Sequence, residues 1–248
     1  MSLNVIEIRN YLLQPHMREH FIDYFEANFI TTQEAVNMHV IGQFRLIGEP
    51  DHFVWLRGYS DMQTRGDGLH AFYDGPIWKK HRTLTNSMII DSDNVHLLRP
   101  LPANPDLTGG QTAATVALAL AESAVSLATD MIAIDFYQAA SGQRQALIDQ
   151  FQAQVVPAYH AAGIQLRGCF VAEMGKNTFP RHPAIQNEHE FVVITAYESE
   201  TAGQTQRTHL ASAITQALGS FLTVSPESLL LSPTLRSPLR YLPSNVTV

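Results

Sequence analysis

The stretch IEIRNYLLQPHMREHFIDYF, residues 6–25, recurs as IAIDFYQAASGQRQALIDQF, residues 132–151. A shift of 126 lays Ile6 on Ile132, Ile8 on Ile134, Tyr11 on Tyr137 and Arg18 on Arg144, and matches Ile22, Asp23 and Phe25 with Ile148, Asp149 and Phe151. The same shift brings Gly42 and Phe44 onto Gly168 and Phe170. A later pair, HFVWLRGY (52–59) and EFVVITAY (190–197), matches at a shift of 138. The second copy therefore carries 138 − 126 = 12 extra residues, assigned to GKNTFPRHPAIQNEH (175–189), whose Gly, Asn and two prolines mark a loop. A two-copy repeat of this length predicts a duplicated domain, not a solenoid.

Each copy reads as strand, helix, strand, strand, helix, strand. In the first, residues 5–12 alternate as a half-buried strand does. Pro15 suits a helix start, and Phe21, Tyr24, Phe25, Asn28 and Phe29 follow at helical spacing. Strands over 38–47 and 53–59 are joined by Gly48-Glu49-Pro50-Asp51. Ser60 or Asp61 caps a second helix, broken near Asp74-Gly75-Pro76, and 94–99 is the last strand. The second copy gives strands at 131–138, 165–174, 190–198 and 228–231, with helices over 143–162 and 201–221. This order is the ferredoxin-like plan. The expected fold is α+β: tandem ferredoxin-like units over 1–100 and 130–248, packed sheet to sheet. Residues 101–129 are the linker, with a helix expected over 112–128 and a strand there left open as the alternative.

Among 248 residues, 16 basic against 23 acidic side chains give a net charge of −7, with no basic tract. A nucleic-acid surface needs clustered Lys and Arg, so nucleic acid is not an expected partner. Glu7 and Arg9 interrupt any signal-peptide stretch, and Glu122 and Asp130 interrupt the one long apolar run. A soluble, cytoplasmic protein is expected, with no membrane partner. A single cysteine, Cys169, forms no intrachain disulfide.

Strand alternation separates two faces in the first copy. One carries Ile6, Ile8, Met38, Val40, Phe44, Val54 and Leu56, and is expected to pack under the helices. The other carries Glu7, Arg9, Tyr11, His39, Gln43, Arg45, Trp55, Arg57 and Tyr59. Its mixture of charge and large rings predicts either a wet open face or a polar cavity covered by the second copy's sheet. In the cavity reading Arg9, Arg45 and Arg57 favour an anionic or carbonyl-bearing ligand, and Trp55, Tyr11 and Tyr59 form apolar walls. The second copy offers Ala133, Asp135, Tyr137, Cys169, Val171, Val193, Thr195 and Tyr197 at these places. The working chemistry is therefore assigned to the first copy, with Asp135 and Tyr137 on the opposite wall. Asp135 stays open to a structural pairing with an arginine.

Other constellations are weaker. His16 and His20 stand four apart without an HExxH pattern or a third ligand, so no metal is expected. There is no GxGxxG after a strand, no GxxxxGK[ST] and no GxSxG. No cofactor is expected.

The strings IEIRNYLLQPHMREHFIDYF, HVIGQF, FVWLRGYSD, AFYDGPIWKKHR and NVHLLRP, spanning most of residues 3–100, resemble the NIPSNAP family. The second half, with NTFPRHP at 177–183, is similar to the C-terminal half of longer bacterial members. The resemblance implies a dimeric α/β-barrel fold, here within one chain. His16 departs from it, since many members have Gly after the proline. The wider superfamily holds cofactor-independent monooxygenases, haem-degrading enzymes and isomerases, among which fold analogy does not choose. Two functions stay open. One is an oxygenase-like or isomerase-like enzyme, with His39 as candidate catalytic base and the arginines holding an enolate or phenolate. The other is a non-catalytic ligand-binding or assembly scaffold. Homo-oligomerisation is left open.

Overall fold

The computed structural model describes residues 2–102, 107–112, 115–116 and 129–242; most of the helix expected over 112–128 lies outside them. In chain order the first half comprises β1 (Val5–Leu13), α1 (Arg18–Asn28), α2 (Ile30–Glu34), β2 (His39–Leu46), β3 (His52–Tyr59), α3 (Met62–Tyr73), α4 (Pro76–Ser87) and β4 (Ile89–Pro100). The second comprises β5 (Met131–Gln138), α5 (Arg144–Gln150), α6 (Val156–Ala161), β6 (Gln165–Ala172), β7 (Glu190–Tyr197), α7 (Glu200–Leu218) and β8 (Glu227–Pro233).

Local chemistry explains most boundaries. The Asp61 carboxylate accepts from the Thr64 backbone N–H at 2.7 Å and starts α3. Gly75-Pro76 separates α3 from α4, with proline at the first helical position. A single wide turn, Phe151–Val155, joins α5 to α6. Pro157 follows it at the start of α6 and has no N–H to give the ladder, which accounts for the widening. Contrary to the expectation from Pro15, α1 begins only at Arg18. Before it, His16 adopts a left-handed φ of 66°, the conformation glycine takes most easily. Its N–H is held by the Asp51 carboxylate at 2.8 Å.

The strands form one closed antiparallel barrel in the order β1-β3-β2-β8-β5-β7-β6-β4. Each half repeats the same spatial order of its own strands: fourth, first, third, second. The halves join through β2–β8, where Arg45 faces Ser232, and β4–β6, where Arg99 faces Val171. Both junctions pair strands that would otherwise be open edges, so closure removes the hazard of free edges.

An eight-stranded barrel is just wide enough to be filled by its own side chains. Ile6, Ile8, Phe44, Val54 and Leu56 from the first half meet Ile132, Ile134, Phe170, Val192, Ile194 and Leu231 from the second in one dry cluster. The two sheets therefore do face each other, but across a filled lumen. The expected placement of the faces is inverted. The aliphatic face of β1 and β3 lines the lumen, and the mixed charged and aromatic face packs beneath the helices with Phe21, Phe25, Phe29, Leu69 and Phe72. The reason is closure: both faces of the sheet become buried, so apolarity alone no longer marks the helix side. At one end of the lumen His96, opposite Ile8, meets the buried Glu190 carboxylate at 3.0 Å. Away from its ends the lumen has no helix to supply polar partners and takes apolar groups. The helix layer does supply them.

Gly42 and Gly168, matched by the repeat, show how tight the lumen is. A Cβ on Gly42 would sit 2.4 Å from the Phe44 ring, and one on Gly168 would sit 2.6 Å from Phe170. Both lie at register shifts, Val40/Gly42 and Leu166/Gly168.

Candidate functional site

Beneath α2 and α3, β1 and β3 bring together Glu7, Arg9, Trp55 and Arg57, all buried. Arg9 lies opposite Trp55 and Glu7 opposite Arg57 in the antiparallel register, so all four point to the same face. The Glu7 carboxylate accepts from Arg9 Nη1 at 2.9 Å, Arg57 Nε at 2.7 Å and Arg65 Nε, on α3, at 2.6 Å. Three guanidiniums thus surround one carboxylate, leaving two positive charges in excess within this cluster. Burial alone would raise the Glu7 carboxyl, but Arg57, Arg65 and Arg9 hold it far below the ordinary carboxylate range.

Some of the remaining donors are satisfied. Arg9 Nε donates to the Tyr11 hydroxyl at 3.0 Å, and Arg57 Nη1 donates to Gln33 Oε1 at 3.3 Å. The Arg57 guanidinium stands 5.0 Å from the centre of the Trp55 ring and 5.9 Å from that of Tyr59. Others are not: Arg57 Nη2, Arg65 Nη2, Trp55 Nε1 and both amide atoms of Gln43 are buried without a partner among the described residues. Native interiors leave few polar groups unpaired, and these five belong to one face of one half.

The extra loop of the second half covers this cluster. Asn177 Oδ1 and Thr178 Oγ1 accept from Arg65 Nη1 at 2.9 and 3.3 Å. His182 Nδ1 accepts from Arg9 Nη2 at 3.2 Å. Burial and the charges of Arg9 and Arg57 push His182 down to about 3, so the ring is neutral and can accept. Phe179 and His182 also pack on Tyr73 at ring separations of 5.7 and 4.4 Å.

The other residues expected at the site lie elsewhere. Arg45 shares the face but pairs with Glu19 of α1 near the surface, at 2.9 Å. His39 lies opposite Gly58 on the lumen side of the sheet, while its neighbour Val40 lies opposite Arg57. At the barrel mouth His39 Nδ1 stands 3.2 Å from Glu34, beside a cleft of about 790 Å3 that also touches Asn4 and Arg99. His39 is therefore not a base for a molecule held at Arg57. Asp135 and Tyr137 face the second half's own helices, not the first sheet. Asp135 pairs with Arg207 of α7 at 2.8 and 2.6 Å, the structural pairing that the sequence left open, although with an arginine of its own half. Beside them Tyr159, Tyr197 and Ser228 line a cavity of about 180 Å3. Burial raises all three phenols, Tyr137, Tyr159 and Tyr197, so they stay protonated. His16 stands in a turn outside α1 and does not share a helix face with His20. Among the described residues there is no group of three or more His, Cys, Asp or Glu placed to hold a metal, and no helix long and apolar enough to cross a membrane.

Sequence reasoning missed Arg65, Gln33, Asn177, His182 and Arg207. Arg65 had one readable signal. It sits in a helix beside Gly66 and Gly68, costly residues in a helix interior. A Cβ on Gly66 would press on Thr178 at 3.1 Å, and one on Gly68 would meet the Val36 carbonyl at 2.8 Å. The glycines admit the covering loop and the chain entering β2.

No curated protein matches the sequence. The chain superposes on a monooxygenase-like protein from Fusobacterium nucleatum over 94% of its own length and 93% of that chain, at 7% identity and a TM-score of 0.62. A monooxygenase-like protein from Lactobacillus acidophilus gives 94% and 94%, 11% identity and a TM-score of 0.58. At such identities the likeness is one of fold alone. A NIPSNAP-like domain protein from Burkholderia xenovorans is 26% identical over 42% of this chain and 91% of its own, with a TM-score of 0.39. Residues 6–105 match the NIPSNAP family model, the segment that holds β1 to β4 and all the strand-borne arginines of the Glu7 cluster. Over these residues the first half of the barrel is similar to the NIPSNAP family.

Proposed function

We propose that the protein binds a small anionic ligand at the Arg9–Arg57–Arg65 cluster. The site lies between the first sheet and its helices, under the 175–189 loop, and not between the two sheets. One observation carries this reading: two buried guanidinium charges exceed the single carboxylate, and Arg57 Nη2 and Arg65 Nη2 meet no acceptor among the described residues. An isolated buried charge is costly, and a carboxylate or phosphate would meet both needs through charge-assisted hydrogen bonds. Trp55, with its unpartnered Nε1, Tyr11 and Tyr59 form the wall for an aromatic or apolar body. In this reading the chain is a pair of tandem ferredoxin-like units, 1–100 and 130–248, joined by the 101–129 linker, and the second unit serves mainly as wall and cover.

The filled lumen favours a binding or scaffold role over barrel-centred catalysis. The test is thermal unfolding of the wild type, Arg57→Ala and Thr195→Ala with inorganic phosphate and with benzoate. One of the two anions stabilises the wild type, Arg57→Ala weakens its binding by about 1.5–3 kcal/mol, as expected for a hydrogen bond to a charged group, and Thr195→Ala leaves it nearly unchanged. No stabilisation by either anion, or equal effects from the two substitutions, overturns the reading.

A further inference from the structure

The second half carries a cavity of different chemistry. It measures about 180 Å3 and opens between α7 and the outer face of β5, β7 and β8. Its polar wall is a closed set. Arg207 donates to both oxygens of Asp135, and Ser228 donates to one of them at 2.5 Å. The pair is therefore neutral as a unit: Arg207 repels a cation and Asp135 repels an anion. The remaining polar lining is three phenols held protonated by burial, with the Thr215 hydroxyl on α7. The Tyr197 hydroxyl accepts from Thr195 Oγ1 at 3.1 Å, with Arg207 Nη1 at 3.5 Å, which leaves its own proton for an outside acceptor. The opposite wall is apolar, formed by Leu210, Ala211 and Ile214 of α7 with Ile164.

We propose that this cavity binds an uncharged, single-ring molecule bearing one acceptor oxygen, which takes the proton of Tyr197. The size sets the ring count, since an apolar cavity of about 150 Å3 accommodates benzene. The balanced ion pair sets the charge. The apolar face of α7 sets the rest. The site is separate from the arginine cluster, which lies under the first half's helices, and it does not rest on the anion reading.

The probe is acetophenone, with ethylbenzene, benzoate and benzylamine as comparisons, followed by ligand-induced change in melting temperature. Wild type and Arg57→Ala are both stabilised by acetophenone, which separates this site from the anion site. Ala211→Leu, at an exposed position of α7 that lines the cavity, abolishes the shift, and only the response it abolishes is counted. Tyr197→Phe weakens acetophenone about 2- to 12-fold, the worth of one neutral hydrogen bond, and leaves ethylbenzene within twofold. The proposal is overturned if acetophenone gives no shift or the shift survives Ala211→Leu. It is equally overturned if benzoate or benzylamine binds this cavity as tightly as acetophenone, or if Tyr197→Phe weakens both neutral probes alike.

Discussion

The two halves of the barrel agree where they face inward and diverge where they face their helices. Inside, each contributes a matched glycine, a matched phenylalanine and a run of aliphatic side chains. Outside, the first half concentrates three arginines around Glu7, and the second sets one arginine against Asp135. The lumen is a shared space: neither half could change its packing there without the other. Each outer face has its own helices and is free to acquire its own chemistry. A barrel built from two halves of the same strand order therefore holds them alike along their common boundary and lets them differ outside it.

The largest contrast is expected from the two carboxylates. Glu7→Gln leaves three buried guanidiniums without a counter-charge and costs about 3–5 kcal/mol, the range for breaking a buried ion pair. Asp135→Asn costs about 1–2 kcal/mol, because Arg207 is 23% exposed and can turn to water. Urea unfolding of both variants checks this, and equal losses would erase the distinction between the outer faces. The lumen should behave in the opposite way. Gly42→Ala and Gly168→Ala each cost about 1–3 kcal/mol through overpacking, with the two values close to each other. If one proved neutral, the lumen would not be the symmetric region described here.

The covering loop gives the first half a pH dependence of its own. In the folded chain His182 stays neutral down to about pH 3, whereas unfolded histidine takes up a proton near 6.5. Between these values the unfolded state binds more protons, so stability falls as the pH falls. From pH 7.5 to pH 5 the loss from this group is about 2 kcal/mol. His182→Asn removes it, flattening the stability–pH curve in that window; an unchanged slope would show that the ring is not held neutral. Glu7 acts at lower pH with the same sign. Its folded carboxyl is depressed, so its contribution is intact above the unfolded value near 4.3 and is lost as the pH falls below it. The smallest effect concerns Gln43, whose repeat counterpart is Cys169. With both amide atoms unpaired, Gln43→Met is neutral or stabilising by up to about 1 kcal/mol in the ligand-free protein. A loss of more than that would mean the amide has a partner in solution.

Much of the framework was legible because it is local or periodic. β5 spans the expected 131–138, Asp61 caps α3 as its type and position predict, and Gly75-Pro76 breaks the helix where expected. The Glu7, Arg9, Trp55 and Arg57 grouping was also legible, since alternation in β1 and β3 forces those residues to one side. Which side was not. Alternation separates faces without naming them, and closure buries both. His39 was misplaced for a related reason. The shift at Val40/Gly42 alters the parity of β2, so residues before and after it do not share a face by simple counting. Arg207 and His182 could not be read at all. Their partners lie 207 − 135 = 72 and 182 − 9 = 173 residues away, joined by folding alone.

The covering loop also sets an order of events during synthesis. Arg65 emerges from the ribosome 182 − 65 = 117 residues before His182, the last residue of the loop to bond the cluster. At about 5–20 residues per second this is an interval of several seconds. Throughout it the first half has its arginines but neither Asn177 nor His182 to cap them, and the edges of β2 and β4 stand open. The nascent first half then holds an uncapped arginine cluster and two open sheet edges until the loop arrives, although its hundred residues carry more acidic than basic side chains.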